Sequence, residues 1–251
     1  MTLTDDEHCC PVIELRRYTL HPGGRDVLVD LFERELIEPQ EAVGMRLIGQ
    51  FHDANDPDQF VFLRGFADMA TRHAALESFY TGPVWRRHRE IANATMIRSD
   101  NVLLLRPARP GWGFPATRVP GGGAESKSSS LVRPVVATIC LLDSPGGDDL
   151  FDLIDSELRP ALSRARAELI ACLVTEPSPN TYPDLPVREG VRALVWLTRG
   201  AGGGGSGNPD DVASWSLPAG ANRLAAAVSA RLVEPTETLV LWPTPRSAIR
   251  G

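Results

Sequence analysis

The chain has 251 residues, 43% of them hydrophobic and 23% charged, which suits one large domain or two of about 110 residues each. That composition excludes a disordered, collagenous or disulfide-scaffold protein. The 26 basic and 32 acidic residues leave a formal net charge of −6, the opposite of the balance a nucleic-acid binder carries. No run approaches the roughly 20 apolar residues of a membrane helix. Residues 1–10 are acidic and polar where a signal peptide is basic and then apolar, so a cytoplasmic protein without nucleic-acid or membrane partners is expected.

Residues 1–11 read as a disordered N-terminus. Cys9, Cys10, Cys140 and Cys172 have neither the Cys-x-x-Cys spacing nor the histidine partners of a zinc site, so no metal is expected, and the vicinal Cys9 and Cys10 read as inert. An apolar strand at Val12 to Tyr18 runs into Pro22-Gly23-Gly24. An amphipathic helix, DVLVDLFERELIEP, follows from Asp26. Strands are predicted at Met45 to Asp53 and Phe60 to Phe66, and Asp68 N-caps a helix through Met69 to Tyr80. Gly82-Pro83 breaks it before a further helix at Val84, and a fourth strand closes at Val102 to Arg106. Asp53-x-x-Asp56 reads as turn chemistry. From Pro107 to Arg133 a Pro, Gly and Ser mixture forms a linker.

The pattern then repeats. Val135 to Leu142 runs into Pro145-Gly146-Gly147 and the helix DLFDLIDSELRP from Asp149. Strands follow at Ala167 to Thr175, Val191 to Thr198 and Thr238 to Trp242, and the glycine-rich run from Gly200 to Pro209 reads as a mobile loop. The order β-α-β-β-α-β is that of the ferredoxin-like unit. The expected fold is α+β, with one unit over 12–106 and a second, degenerate one over 134–251. A sheet with helices on one face leaves the other bare, and a soluble monomer does not expose so large an apolar face. The two bare faces are therefore expected to close on each other as an intramolecular pseudo-dimer, a dimeric α/β-barrel in one chain.

Strand alternation sets Glu14, Arg16 and Tyr18 opposite Ile13 and Leu15, and Phe62 and Arg64 opposite Val61 and Leu63. Taking helix-packed faces as apolar assigns Glu14, Arg16, Tyr18, Phe62 and Arg64 to the barrel interior. There the charges either pair, as Glu14 with Arg64 or Arg16, or face a ligand. Aligned on the Pro-Gly-Gly turns, Glu14, Arg16 and Tyr18 correspond to Ala137, Ile139 and Leu141, and Phe62 and Arg64 to Trp196 and Thr198. The polar set exists in one half only, which favours a single pocket. On the helix from Val84, Trp85, His88, Arg89 and Ala92 form one stripe. They either anchor and cap the helix or sit at the mouth of the pocket.

The runs ELRRYTLHPGG from Glu14, EPQEAVGM from Glu38, FVFLRGFADM from Phe60 and FYTGPVWRRHREIAN from Phe79 together resemble the NIPSNAP family. PNTYPDLPVREG from Pro179 is similar to its two-copy bacterial members. The resemblance implies a dimeric α/β-barrel, a fold shared with cofactor-free monooxygenases, haem-degrading enzymes and stress-response barrel proteins, and it supplies no reaction. Two readings stand. In one, the barrel holds a small molecule, as a cofactor-free monooxygenase or isomerase, with Glu14, Arg16, Tyr18, Phe62, Arg64, Trp85, His88 and Arg89 lining the site. Arg16 and Arg64 then hold an anionic or enolised substrate while Tyr18 or His88 handles a proton. In the other, it is a non-catalytic binding or interaction module. Haem degradation needs a histidine facing the cavity, and the strands as read offer none. A homo-oligomer is compatible with either.

Overall fold

The computed structural model describes residues 9–115, 132–200 and 216–249. In chain order, β1 (Val12–Leu20) leads into a long helical segment. This comprises α1 (Gly24–Leu31), a π turn (Phe32–Leu36) and α2 (Ile37–Ala42). Then come β2 (Arg46–Asp53), β3 (Gln59–Phe66), α3 (Met69–Tyr80), α4 (Pro83–Ala94) and β4 (Met96–Pro107). The second half runs β5 (Val135–Leu141), α5 (Asp148–Leu153), a π turn (Ile154–Leu158), α6 (Arg159–Arg164), β6 (Ala167–Thr175), β7 (Ala193–Gly200), α7 (Asn222–Ser229) and β8 (Glu237–Pro243).

All paired strands are antiparallel and close into a barrel in the order β1-β3-β2-β8-β5-β7-β6-β4. Within each half the strands lie fourth, first, third, second. The halves join at two seams, β2 with β8 and β4 with β6. The paired ladder of each seam is three residues long and is extended by further main-chain bonds, such as Thr244 N–H to the Gln50 carbonyl and Cys172 N–H to the Trp112 carbonyl, and both halves contribute to one shared interior. That interior takes Ile13, Leu15, Leu63 and Leu103 from the first half and Val135, Ala137, Val195 and Leu241 from the second. Two outer layers hold the helices against the sheet, each packing on its own half.

The capping chemistry is as the sequence dictates. Asp68 accepts from the Thr71 N–H at 2.6 Å and starts α3, and Pro83 opens α4. Asp53 and Asp56 accept from the N–H groups of Asn55 and Asp58, the Asx turns expected there. Each π turn stands one turn before a proline, Pro39 or Pro160. A proline has no N–H and crowds the carbonyl four residues earlier, and the widened turn lets the helix run through it.

One expectation needs correction at this level. Cys9 and Cys10 are not in a loose terminus: they are bonded to each other, Cys10 is buried against the barrel end, and the Cys9 N–H donates to the Phe114 carbonyl at 2.9 Å. Gly65 leaves room for the pair, since a Cβ there would stand 2.4 Å from the Cys10 sulfur. The glycine-rich run from Gly200 to Pro209 lies, beyond Gly200, outside the described residues. Among the described residues no helix is long and apolar enough to cross a membrane.

Candidate functional site

Glu14, Arg16, Tyr18, Phe62 and Arg64 do share one face, but it is the helix-packed face and not the barrel interior. The interior is closed by aliphatic side chains from both halves, while Tyr18, Phe60, Phe62 and Phe66 pack under α1, the π turn and α3. The premise that helix-packed faces are apolar fails here because both faces of this sheet are buried. The face that meets its counterpart across the barrel is the one that must be uniformly apolar, since no water or helix end can reach its polar groups.

Glu14 stands at the centre of the cluster. Register places it opposite Arg64 on β3 and Leu104 on β4. One oxygen accepts from Arg16 Nη1 at 2.9 Å and Arg64 Nε at 2.7 Å. The other accepts from Arg72 Nε at 2.7 Å. All four side chains are fully buried. Burial by itself raises the Glu14 carboxyl, but Arg64, Arg16 and Arg72 outweigh it and hold it well below the usual carboxylate range. The four groups therefore carry three positive charges and one negative.

The excess is spread onto neutral acceptors. Arg16 Nε donates to the Tyr18 hydroxyl at 3.0 Å, and Arg64 Nη1 reaches Gln40 Oε1 at 3.1 Å and the Tyr80 hydroxyl at 3.4 Å. Gln40 Nε2 in turn donates to the Leu36 carbonyl at 2.9 Å, at the end of the π turn. Arg72 Nη1 reaches across to the second half, donating to Asn180 Oδ1 at 3.0 Å and Thr181 Oγ1 at 3.2 Å. Tyr182 of the same loop stacks on Tyr80 with ring centroids 6.2 Å apart.

Beside this cluster, between sheet and helices, is a cavity of about 30 Å³, bounded by Tyr18, Gln40, Phe62, Tyr80, Trp85 and Met96 among others. Both phenols on its wall accept a hydrogen bond from a buried guanidinium. That fixes each oxygen and leaves each O–H to donate to something else. Burial pushes the Tyr18 phenol up, against the opposing charge of Arg16, so it keeps its proton at neutral pH.

Of the residues expected at the mouth, Trp85 lines the cavity, edge-on to Tyr80 at 5.0 Å. His88 does not line it; its Nε2 faces the Glu35 carboxylate at 3.7 Å. Arg89 is exposed on the outer side of α4. Arg72, Gln40, Tyr80, Asn180 and Thr181 were not singled out from the sequence. Arg72 carried a signal: it occupies a core position on the stripe Arg72, Ala75, Leu76 and Phe79, all buried. His52 lies on β2 and, paired with Phe60, faces the helix layer and not the barrel; burial, helped by Arg25, lowers its pKa.

The corresponding place in the second half is neutral, though the matching residues differ from those aligned on the turns. Val136 pairs with Thr198 and Thr138 with Trp196, as Glu14 pairs with Arg64 and Arg16 with Phe62. The counterparts of Glu14, Arg16 and Tyr18 are therefore Val136, Thr138 and Cys140, one residue earlier than the turn alignment gives. Phe62 and Arg64 do match Trp196 and Thr198. There Trp196 Nε1 donates to the Ser216 carbonyl at 2.7 Å and Thr138 meets the Ser216 hydroxyl at 2.8 Å. Burial pushes the Cys140 thiol up to about 11, so it stays protonated. Among the described residues no cluster of three or more His, Cys, Asp and Glu side chains could hold a metal ion.

Residues 13–110 match the NIPSNAP family model. No curated protein matches the chain. Among solved structures, an uncharacterised NIPSNAP-like domain protein from Burkholderia xenovorans is 32% identical over 38% of this chain and 84% of its own, with a TM-score of 0.36. An anthrone oxidase-like protein shares 14% identity over 98% of this chain and 96% of its own at a TM-score of 0.58. A candidate monooxygenase from Lactobacillus acidophilus shares 10% over 96% and 99% at 0.50. The last two likenesses, at such low identity, are likenesses of fold.

Proposed function

We propose that this chain, which belongs to the NIPSNAP family, binds a small anionic or enolisable molecule in the first half, between β1, β3 and the helices. The two halves are then tandem ferredoxin-like units over 12–106 and 134–251, of which the second supplies support and the first supplies the site. The observation that carries the reading is the charge imbalance: three fully buried guanidiniums around one carboxylate. Buried charge without a counter-charge is costly, and a bound anion or enolate would balance it.

The phenols of Tyr18 and Tyr80 supply the contact. Held from behind by Arg16 and Arg64, they donate their protons to an oxygen that gains negative charge, as an oxyanion hole does. When an acidic carbon of the substrate loses its proton, the electron pair moves onto that oxygen and is stabilised there. Tyr18 keeps its own proton and acts as a donor. No histidine or carboxylate lines the cavity among the described residues, so the substrate is one acidic enough to ionise to solvent. Isomerisation and oxygenation both begin from such an enolate, and a structural neighbour is anthrone oxidase-like.

Native mass spectrometry of protein purified from its own source tests the reading. A co-purified acidic molecule of defined mass, lost in Tyr18→Phe with Tyr80→Phe, is expected. Protein that is always empty, and that gains no affinity for phenols or enols with both tyrosines intact, overturns it. The second reading, a non-catalytic module, is favoured by the cavity's size: about 30 Å³ holds roughly one water, and a larger ligand requires α4 or Trp85 to move aside.

A further inference from the structure

A second, roomier cleft lies elsewhere. It has a volume of about 630 Å³ and lies outside the barrel, over the seam between β4 and β6. The helices of each half cover their own sheet and leave this seam to the loop at 176–192. That loop is pinned to β4 at both ends: the Glu176 N–H donates to the Leu104 carbonyl at 2.9 Å and the Arg188 N–H to the Val102 carbonyl at 2.8 Å. Its middle is braced by Asn180, whose Nδ2 donates to the Leu185 carbonyl and whose Oδ1 accepts from Tyr182 N–H and Arg72. The cleft is therefore preformed, as small-molecule sites usually are, and its volume is in the range such sites occupy.

Its floor is apolar, with Leu104, Val174, Val191 and Ala193. Its rim carries Arg106, Arg188 and Arg192 against Glu176 and Glu189. Two of these are engaged: Glu176 Oε1 accepts from the Ser178 N–H and hydroxyl, and Arg192 Nη1 donates to the Asp143 carbonyl. Among the described residues the guanidiniums of Arg106 and Arg188 have no such bond, and guanidinium forks match a carboxylate well.

We infer that this cleft is a second ligand site, taking a carboxylate with an apolar aliphatic or aryl body. The body lies on the floor over the β4–β6 seam and the carboxylate meets Arg106 and Arg188. The cavity beside Tyr18 takes no part, and the three-arginine cluster contributes only the Arg72 bond that braces Asn180.

The test uses the full chain and the fluorescent anion 8-anilinonaphthalene-1-sulfonate. One saturable site is expected, displaced by decanoate at a concentration at least about tenfold lower than decanol requires, since a charge-assisted hydrogen bond contributes that much. Arg106→Met with Arg188→Met should weaken decanoate binding about tenfold or more, while Trp85→Ala leaves it unchanged. Hydrogen exchange should slow in residues 176–192 when decanoate binds. Absence of saturable binding, equal displacement by decanol, wild-type affinity in the double variant, or protection confined to residues 79–96 each overturns the inference. Should the double variant not fold, Val191→Trp, which fills the cleft, takes its place, and unchanged decanoate binding in it is equally fatal.

Discussion

Glu14 is the single counter-charge to three buried arginines, so the cluster is asymmetric in what it tolerates. Glu14→Gln leaves three guanidiniums facing each other in a closed layer and should cost about 3–5 kcal/mol. Arg64→Met leaves Glu14 with Arg16 and Arg72 and relieves part of the positive excess, so a smaller loss of about 1–3 kcal/mol is expected. Urea unfolding of the two variants checks the order; a larger loss for Arg64→Met would mean that the pair, and not the excess, governs the site. The same residue sets an acid limb. Glu14 takes up a proton near its ordinary 4.5 in the unfolded chain and only at much lower pH in the folded one. The unfolded state thus binds more protons, and this stability, complete at neutral pH, is lost progressively as pH falls below about 4.5. Melting temperatures between pH 7 and pH 3 should fall more steeply for the parent chain than for Glu14→Gln. Strand alternation made the Glu14 to Arg64 pairing legible in advance. It could not say which face was which, because Ile13 and Leu15 on one side and Phe60 and Phe62 on the other are equally fit for a core.

The elements that frame the cavity meet at the elbow between α3 and α4. Gly82 allows it by having no side chain: a Cβ there would lie 2.8 Å from the Ser78 carbonyl oxygen and 3.1 Å from that of Phe79, both backbone atoms that cannot rotate away. Gly82→Ala should therefore destabilise by about 1–3 kcal/mol, as overpacking does, and should move Trp85 relative to Tyr80. Thermal unfolding with near-ultraviolet circular dichroism reads both effects, and an unperturbed aromatic signal would show that the elbow is slack. The breaker Gly82-Pro83 and the Asp68 cap are each legible in the sequence, because each is local chemistry spanning only a few residues. The π turn at Phe32–Leu36 is not, since the widening depends on how Leu36 is bonded by Gln40 and how Phe32 packs on Phe60 and Phe62. Nor is the reach of Asn180 to Arg72, which joins residues 108 positions apart.

At the scale of the molecule, the repeated strand, Pro-Gly-Gly turn and helix pointed to two four-stranded sheets facing each other; the eight strands close into one antiparallel barrel. The face shared between halves is apolar where it was expected to be partly charged, and this bears on how the halves hold together. Main-chain pairing across the two seams is short, with three residue pairs between β2 and β8 and three between β4 and β6. The interior, by contrast, is continuous across both halves and excludes water from residues such as Leu15, Leu63, Val195 and Leu197, all with no measurable exposure. Apolar burial of this kind scales with area and needs no covalent tether; the tether only raises the effective concentration of one half for the other. A protease site inserted at Gly122 and then cut should therefore give two bands under denaturing conditions and one species of about the parent 27.3 kDa by sedimentation. Leu15→Asp introduced before cutting should let the halves part, because a carboxylate in that interior has no partner. Separation of the cut parent chain at micromolar concentration would show that the linker, and not the shared interior, keeps the barrel closed.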